Sequence, residues 1–235
     1  MMFKIAYGAG HNDKTGNGIP TSLHKPFMNE WRLNDRVARY FAEAASQYEE
    51  VELLRVDHST DRVDLQKRCD MANDWGAAFF LSIHHDAGIN GGKGGGMTVY
   101  CNPGSTEGRK YQDAVYTECM AAGGLKGRSS PKLEKGFHVL KHTDMPALLV
   151  EYGFMDSTTD VPVILSEEYA KNMAYATMEG IAKTAGLKKK AQQEEATDDG
   201  TIYRVQVGAF KKKTYAKELM DDLMRLGYEA FIVEG

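Results

Sequence analysis

Cysteine is scarce in this 235-residue chain, and the three present, Cys69, Cys101 and Cys119, are odd in number with no C-x-x-C spacing. That excludes a disulfide framework and a cysteine-ligated zinc finger, and leaves buried reduced thiols as the expectation. Long apolar runs are missing as well: none approaches the roughly 18 residues of a membrane span, so no membrane insertion is expected. The opening Met1-Met2-Phe3-Lys4-Ile5-Ala6-Tyr7 reads as a strand and not as a signal peptide. The expectation is a soluble protein synthesised in the cytoplasm. A basic excess is also absent. The formal net charge is −4 and Lys and Arg are scattered apart from two short clusters, so no nucleic acid partner is expected. With only 6 prolines, 24 glycines, 42% hydrophobic and 26% charged residues, collagen-like and disordered classes are excluded too.

What is present is enough chain for one substantial domain and a small appendage. Strand-like runs at 3–7, 51–56, 77–83, 97–101, 137–140 and 147–150 alternate with helical periodicity at 28–46, 61–75, 106–121 and 166–185. That alternation predicts a three-layer α/β fold, a mostly parallel twisted sheet covered by helices on both faces. The runs Ala77-Ala78-Phe79-Phe80-Leu81-Ser82-Ile83 and Ala147-Leu148-Leu149-Val150 are apolar on both faces and belong in the middle of such a sheet. From 188 to 200 the sequence turns polar and reads as a linker between a domain at 1–187 and a unit at 201–235. In that last unit Tyr203–Val207 and Tyr228–Val233 read as strands, with Ala216, Leu219, Met220 and Leu223 at helical spacing between them, a small β-α-β unit.

In an open α/β sheet the reactive side chains collect beyond the carboxyl ends of the strands. His11 follows the first strand through Gly8-Ala9-Gly10, His84 ends the strand at 77–83, Glu151 ends the strand at 147–150, and Glu30 opens a helix. Two imidazoles and a carboxylate leave the fourth tetrahedral position of a zinc ion open to water, the pattern of a catalytic site. The spacing alone is not specific, since the ligands are far apart and there is no H-E-x-x-H.

The surrounding words are more specific. Gly10-His11, Glu30 with Asn34 one turn on, Arg68-x-x-x-Ala72-Asn73, Ser82-Ile83-His84-His85-Asp86-Ala87 and Leu149-Val150-Glu151-Tyr152-Gly153-Phe154-Met155 occur in that order. Together they resemble the zinc-dependent N-acetylmuramoyl-L-alanine amidases of the amidase-3 type over residues 1–187. The resemblance implies zinc bound by His11, Glu30 and His84, with Glu151 catalytic. It implies cleavage of peptidoglycan at the amide joining N-acetylmuramic acid to L-alanine, as an endolysin or autolysin reaching the wall after lysis or holin-type release. Tyr7-Gly8-Ala9-Gly10 stands where the family usually has Asp-Pro-Gly, and Asp86 where Asn is common; neither replaces a ligand. The tail, Tyr203-Arg204-Val205-Gln206-Val207-Gly208-Ala209-Phe210 onward, resembles one repeat of the two-repeat SPOR peptidoglycan-binding domain. A lone β-α-β unit has too little chain to cover its apolar face, so a homodimer paired through this segment is expected. The competing functions are a zinc carboxypeptidase or deacetylase on the same substrate, or a catalytically silent wall-binding protein.

Other residues have plainer readings beside their functional ones. His138 and His142 are candidates to contact substrate, or are solvated loop histidines. Arg68 is a candidate substrate contact but is better read, with Asn73, as helix support. His85 should point away from His84 and play a packing or surface role. Asp35, Asp57 and Asp64 read as solvated or capping charges, and His24 and His58 receive no function. The run Gly88-Ile89-Asn90-Gly91-Gly92-Lys93-Gly94-Gly95-Gly96 fails the phosphate-loop spacing and reads as a mobile loop beside the site. Gly8-x-Gly10-x-x-Asp13 lacks the third glycine of a dinucleotide fingerprint.

Overall fold

The computed structural model describes residues 2–12, 29–57, 63–89, 92–126, 128–191, 207–225 and 230–233. The chain divides into two compact units, Met1–Lys190 and Ala191–Gly235. The first contains β1 (Phe3–Ala9), α1 (Glu30–Ala45), β2 (Val51–Arg55), α2 (Leu65–Asp74), β3 (Phe79–Asp86) and β4 (Thr98–Cys101). It continues with α3 (Thr106–Ala121), β5 (Lys132–Glu134), α4 (His138–Lys141), β6 (Ala147–Phe154), α5 (Val161–Ile164) and α6 (Glu167–Ala185). The strands form a 6-stranded sheet in the order β2-β1-β3-β6-β4-β5. Every neighbouring pair is parallel except β4 with β6.

The period-two alternation of the strands sorts the core into two clusters. Ile5, Leu81, Ile83, Leu148 and Val150 pack with Phe41 of α1, Val115 of α3 and Met173 of α6. On the opposite face Ala6, Phe80, Tyr100 and Leu149 meet Cys69 and Ala72 of α2 and Val139 and Leu140 of α4. The result is the expected three layers.

Local chemistry starts and stops the helices. Asn29, Asp64, Ser105 and Ser166 each accept a hydrogen bond from a first-turn backbone N–H of α1, α2, α3 and α6, and Gly186 ends α6 in the left-handed conformation. Gly180 lets α6 lie directly on α3. A Cβ there would press on the backbone of Val115.

Several expectations change. Residues 137–140, read as a strand, form the short helix α4 after Phe137. Val139 and Leu140 are adjacent and both buried, which a helical turn on a flat face allows and strand alternation does not. The edge strand β5 was hidden because Lys132-Leu133-Glu134 exposes both charged residues and offers one apolar side chain. β3 and β6 each run past their apolar stretch, so His84, His85 and Glu151 lie inside strands and not just beyond them.

In the second unit α7 (Lys213–Arg225) is present, and Ala216, Leu219, Met220 and Leu223 form its half-buried stripe. The expected strand Tyr203–Val207 lies outside the described residues except Val207, and Tyr228–Val233 does so in part. Val207 and residues 230–233, which are described, form no strand. The pairing surface invoked for a homodimer therefore lies largely outside the described residues.

Candidate functional site

The end of β1 is tied down before it turns into the site. Asp57, whose side chain is 0% exposed, accepts from the Ala9 backbone N–H at 3.0 Å and from Trp31 Nε1 at 3.2 Å. Arg55 donates to both Asp57 oxygens, at 2.8 and 2.9 Å, and to Asp35 at 2.5 Å. Asp57, read above as a solvated or capping charge, is instead a buried anchor joining β1, β2 and the first turn of α1. Asp35 is ion-paired and Asp64 caps α2 as expected.

From that anchor the chain reaches His11, a non-glycine residue with φ of +66°. Such a backbone persists only where its surroundings hold it. Arg68 does the holding: buried in α2, it donates to the carbonyls of Ala9 and His11 at 2.8 Å each and of Val63 at 3.1 Å. The candidate substrate contact at Arg68 is thus a brace for the His11 turn.

His11, Glu30 and His84 converge, their ligand atoms all within 4.8 Å of one another. Glu30 sits between the rings, with Oε2 at 3.0 Å from His11 Nε2 and Oε1 at 3.0 Å from His84 Nδ1. Burial pushes the Glu30 carboxyl up, but hydrogen bonds from His11 and His84 and their charge outweigh it and hold the group well below the usual carboxylate range. Asn34 donates to Glu30 Oε1 at 3.2 Å and to the Gly10 carbonyl at 3.3 Å. Its Oδ1 meets His85 Nδ1 at 2.8 Å, which places the His85 proton on Nδ1. His85 is buried on the other face of β3 beside Tyr152, and burial pushes its pKa down to about 3. It is a neutral packing residue that fixes Asn34.

The donor set suits a zinc ion. Two ligands each about 2.0–2.1 Å from a tetrahedral metal lie roughly 3.4 Å apart. One Glu30 oxygen lies 3.0 Å from each histidine nitrogen, close to that spacing, with Oε2 facing His11 and Oε1 facing His84. The carboxylate is ionised, and its remaining contacts come from Asn34 and the His85 backbone N–H, the kind of outer support that orients metal ligands.

Glu151 is the register partner of His84 across β3 and β6. Its Oε2 is sealed from solvent and has no hydrogen-bond partner among the described residues. Burial first, and then the charges of Asp86 and Glu30, push this carboxyl well above the usual range, with Arg128 and Lys135 opposing. Arg128 pairs with Asp86 at 3.4 Å and lies 4.8 Å over the Phe154 ring. Nothing in the sequence marked Arg128, because it comes from the loop after α3, far along the chain from every recognisable word.

His138 and His142 stack on α4 with ring centroids 4.1 Å apart. His138 Nε2 meets Gln66 of α2 at 2.9 Å, and His142, exposed, returns Nδ1 to the His138 carbonyl. Asn73 bonds the His142 carbonyl and the Asp144 N–H, the support role expected of it. The described part of the glycine-rich segment is hydrogen-bonded to residues 156–160. Asp156 accepts from Gly88 N–H at 2.8 Å, Asp160 from Gly96 N–H at 2.7 Å, and Thr158 N–H donates to the Gly92 carbonyl at 2.9 Å. These bonds connect it to the loop after β6.

Set beside known proteins, residues 5–183 match the Amidase_3 family, described as N-acetylmuramoyl-L-alanine amidase, and residues 178–234 match the SPOR domain. The chain is 32% identical to the sporulation-specific N-acetylmuramoyl-L-alanine amidase of Bacillus subtilis (strain 168), over 99% of this chain and 85% of that protein. It is 33% identical to the N-acetylmuramoyl-L-alanine amidase CwlM of Bacillus licheniformis, with the same coverage of each. In fold it is similar to the catalytic domain of CwlV, an N-acetylmuramoyl-L-alanine amidase from Bacillus (Paenibacillus) polymyxa var. colistinus. That likeness has a TM-score of 0.71 at 22% identity, over 80% of this chain and 100% of that one.

Proposed function

The chain belongs to the N-acetylmuramoyl-L-alanine amidase family, and from that membership we propose that it hydrolyses peptidoglycan as a zinc enzyme. The zinc would be held by His11, Glu30 and His84, with Glu151 as the general base. The observation that carries this reading is the convergence of those three ligand atoms within 4.8 Å, with Glu151 the cross-strand neighbour of His84. Zinc in this set would leave a tetrahedral position for water, lower the pKa of that water and polarise a carbonyl.

The chain's own residues supply the rest. Glu151 accepts a proton from the attacking water as the carbon–oxygen bond forms. It then passes that proton to the L-alanine nitrogen as the carbon–nitrogen bond breaks, so the amine leaves neutral. A carboxyl whose pKa is raised by burial suits both halves, since it holds the proton long enough to return it.

The test is product analysis with and without metal. Protein stripped by a chelator is expected to be inactive on purified walls and to recover with added zinc. The products should be new L-alanine amino termini and no acetate. Full activity after stripping would refute zinc dependence, and released acetate would turn the reading to a deacetylase.

The SPOR match supports a second element of the proposal, that the C-terminal unit helps hold the enzyme on the wall. A chain ending at Lys190 retains the whole first unit. It is expected to keep its activity on soluble muropeptides and to lose activity on intact sacculi. An unchanged ratio between the two substrates would remove the targeting role.

A further inference from the structure

Thr98 heads β4, and its register partner in the antiparallel β4–β6 pair is Glu151. Alternation fixes the face it occupies. Val99 packs with the cluster under α1, α3 and α6, whereas Tyr100 and Leu149 belong to the cluster under α2 and α4. Thr98 and Glu151 therefore stand side by side on that second face, the face of His84. Thr98 is 0% exposed, and its Oγ1, like Glu151 Oε2, is a buried polar atom without a hydrogen-bond partner among the described residues.

Buried polar atoms are almost always paired, so two neighbouring exceptions call for one explanation. Directly opposed residues in an antiparallel pair hold their Cβ atoms about 4.5–5.5 Å apart, within reach of a bond between a threonine hydroxyl and a glutamate carboxylate after a side-chain rotation. The complement is chemical as well as geometric. An ionised carboxylate only accepts, and the hydroxyl is the donor that faces it. A purely structural role does not explain the hydroxyl. Valine has the same branched shape and suits a strand at least as well, and an unpaired buried hydroxyl weighs against folding.

We propose that Thr98 is a positioning residue for the amidase reaction, its hydroxyl donating to Glu151 Oε2 and so presenting Oε1 to the attacking water. This rests on the function proposed above. With one carboxylate oxygen held, the plane of the group is set, and the oxygen that takes the proton no longer has to be found by rotation at each turnover.

The test uses the full-length zinc-loaded protein as Thr98→Val and Thr98→Ser, assayed on soluble muropeptides. Thr98→Val is expected to keep its zinc content and KM while kcat falls about 10-fold. Thr98→Ser, which restores the donor, is expected to return kcat to within about twofold of the parent. Wild-type kcat in Thr98→Val would overturn the proposal. So would a fall in Tm in both variants that tracks the loss of activity, because it would make the residue structural. If the parent protein itself releases no L-alanine termini, the amidase reading fails, and that outcome is separate from the comparison of the two variants.

Discussion

Replacing Glu151 with glutamine is expected to lower kcat by about 10²–10⁴-fold, or about 3–5 kcal/mol of transition-state stabilisation, with zinc content unchanged. Glutamine keeps the shape of the side chain but cannot accept and return a proton. The residue is the register neighbour of a ligand, not one of the three converging groups, so the metal set stays whole. Stability provides an independent reading. Burial raises the Glu151 pKa in the folded protein, so the folded state holds this proton more tightly than the unfolded chain does. The carboxyl therefore favours folding below its unfolded pKa and opposes it increasingly as pH rises through the folded value. In metal-free protein the glutamine variant should melt above the parent at neutral pH, and the gap should narrow as pH falls toward the ordinary carboxylate range. Loss of zinc in the variant would make Glu151 a ligand. A gap that widens in acid would contradict the raised pKa of the buried carboxyl.

The sheet and its layers were legible because burial writes a period into the chain. Phe79 to Ile83 and Leu148 to Val150 are apolar on both faces, as only central strands are. β5 and α4 were not, since three residues with one leucine, or four with adjacent buried Val139 and Leu140, carry no readable period. The three converging groups were legible through sequence words, as each sits near glycine, serine or a helix start. Its supports were not. Asp57 and Arg68 act on main-chain groups of Ala9 and His11 from positions 48 or more residues away, and a hydrogen bond to a backbone group leaves no mark on the sequence at the backbone end. Thr98 illustrates the same limit. A threonine opening a strand is ordinary until the register puts it opposite Glu151.

A single methyl group at position 10 is expected to weaken the candidate metal centre by moving one of its ligands, though less than removal of that ligand would. Gly10 follows β1, its N–H bonded to the Ile83 carbonyl at 2.8 Å and its carbonyl to Asn34. The main chain is thus held from both sides and cannot withdraw. A Cβ built on Gly10 falls within the His84 imidazole, too close to Cε1, Nδ1 and Nε2 for any real contact. The ring must turn, and with it the nitrogen that faces Glu30 at 3.0 Å. Misorienting a ligand in this way is worth about 10–100-fold in metal affinity by analogy with loss of a ligand's support. Gly10→Ala should therefore need correspondingly more zinc for half-maximal activity, whereas His84→Ala should lose both metal and activity outright. The hydrophobic core lies elsewhere, so melting of the metal-free Gly10→Ala protein should change little. Gly136→Ala serves as the control, because a Cβ there meets nothing within 4 Å among the described residues, and it should bind zinc as the parent does. Parental zinc affinity in Gly10→Ala would show that His84 is not where the metal is held, and would leave His11 and Glu30 without their third partner.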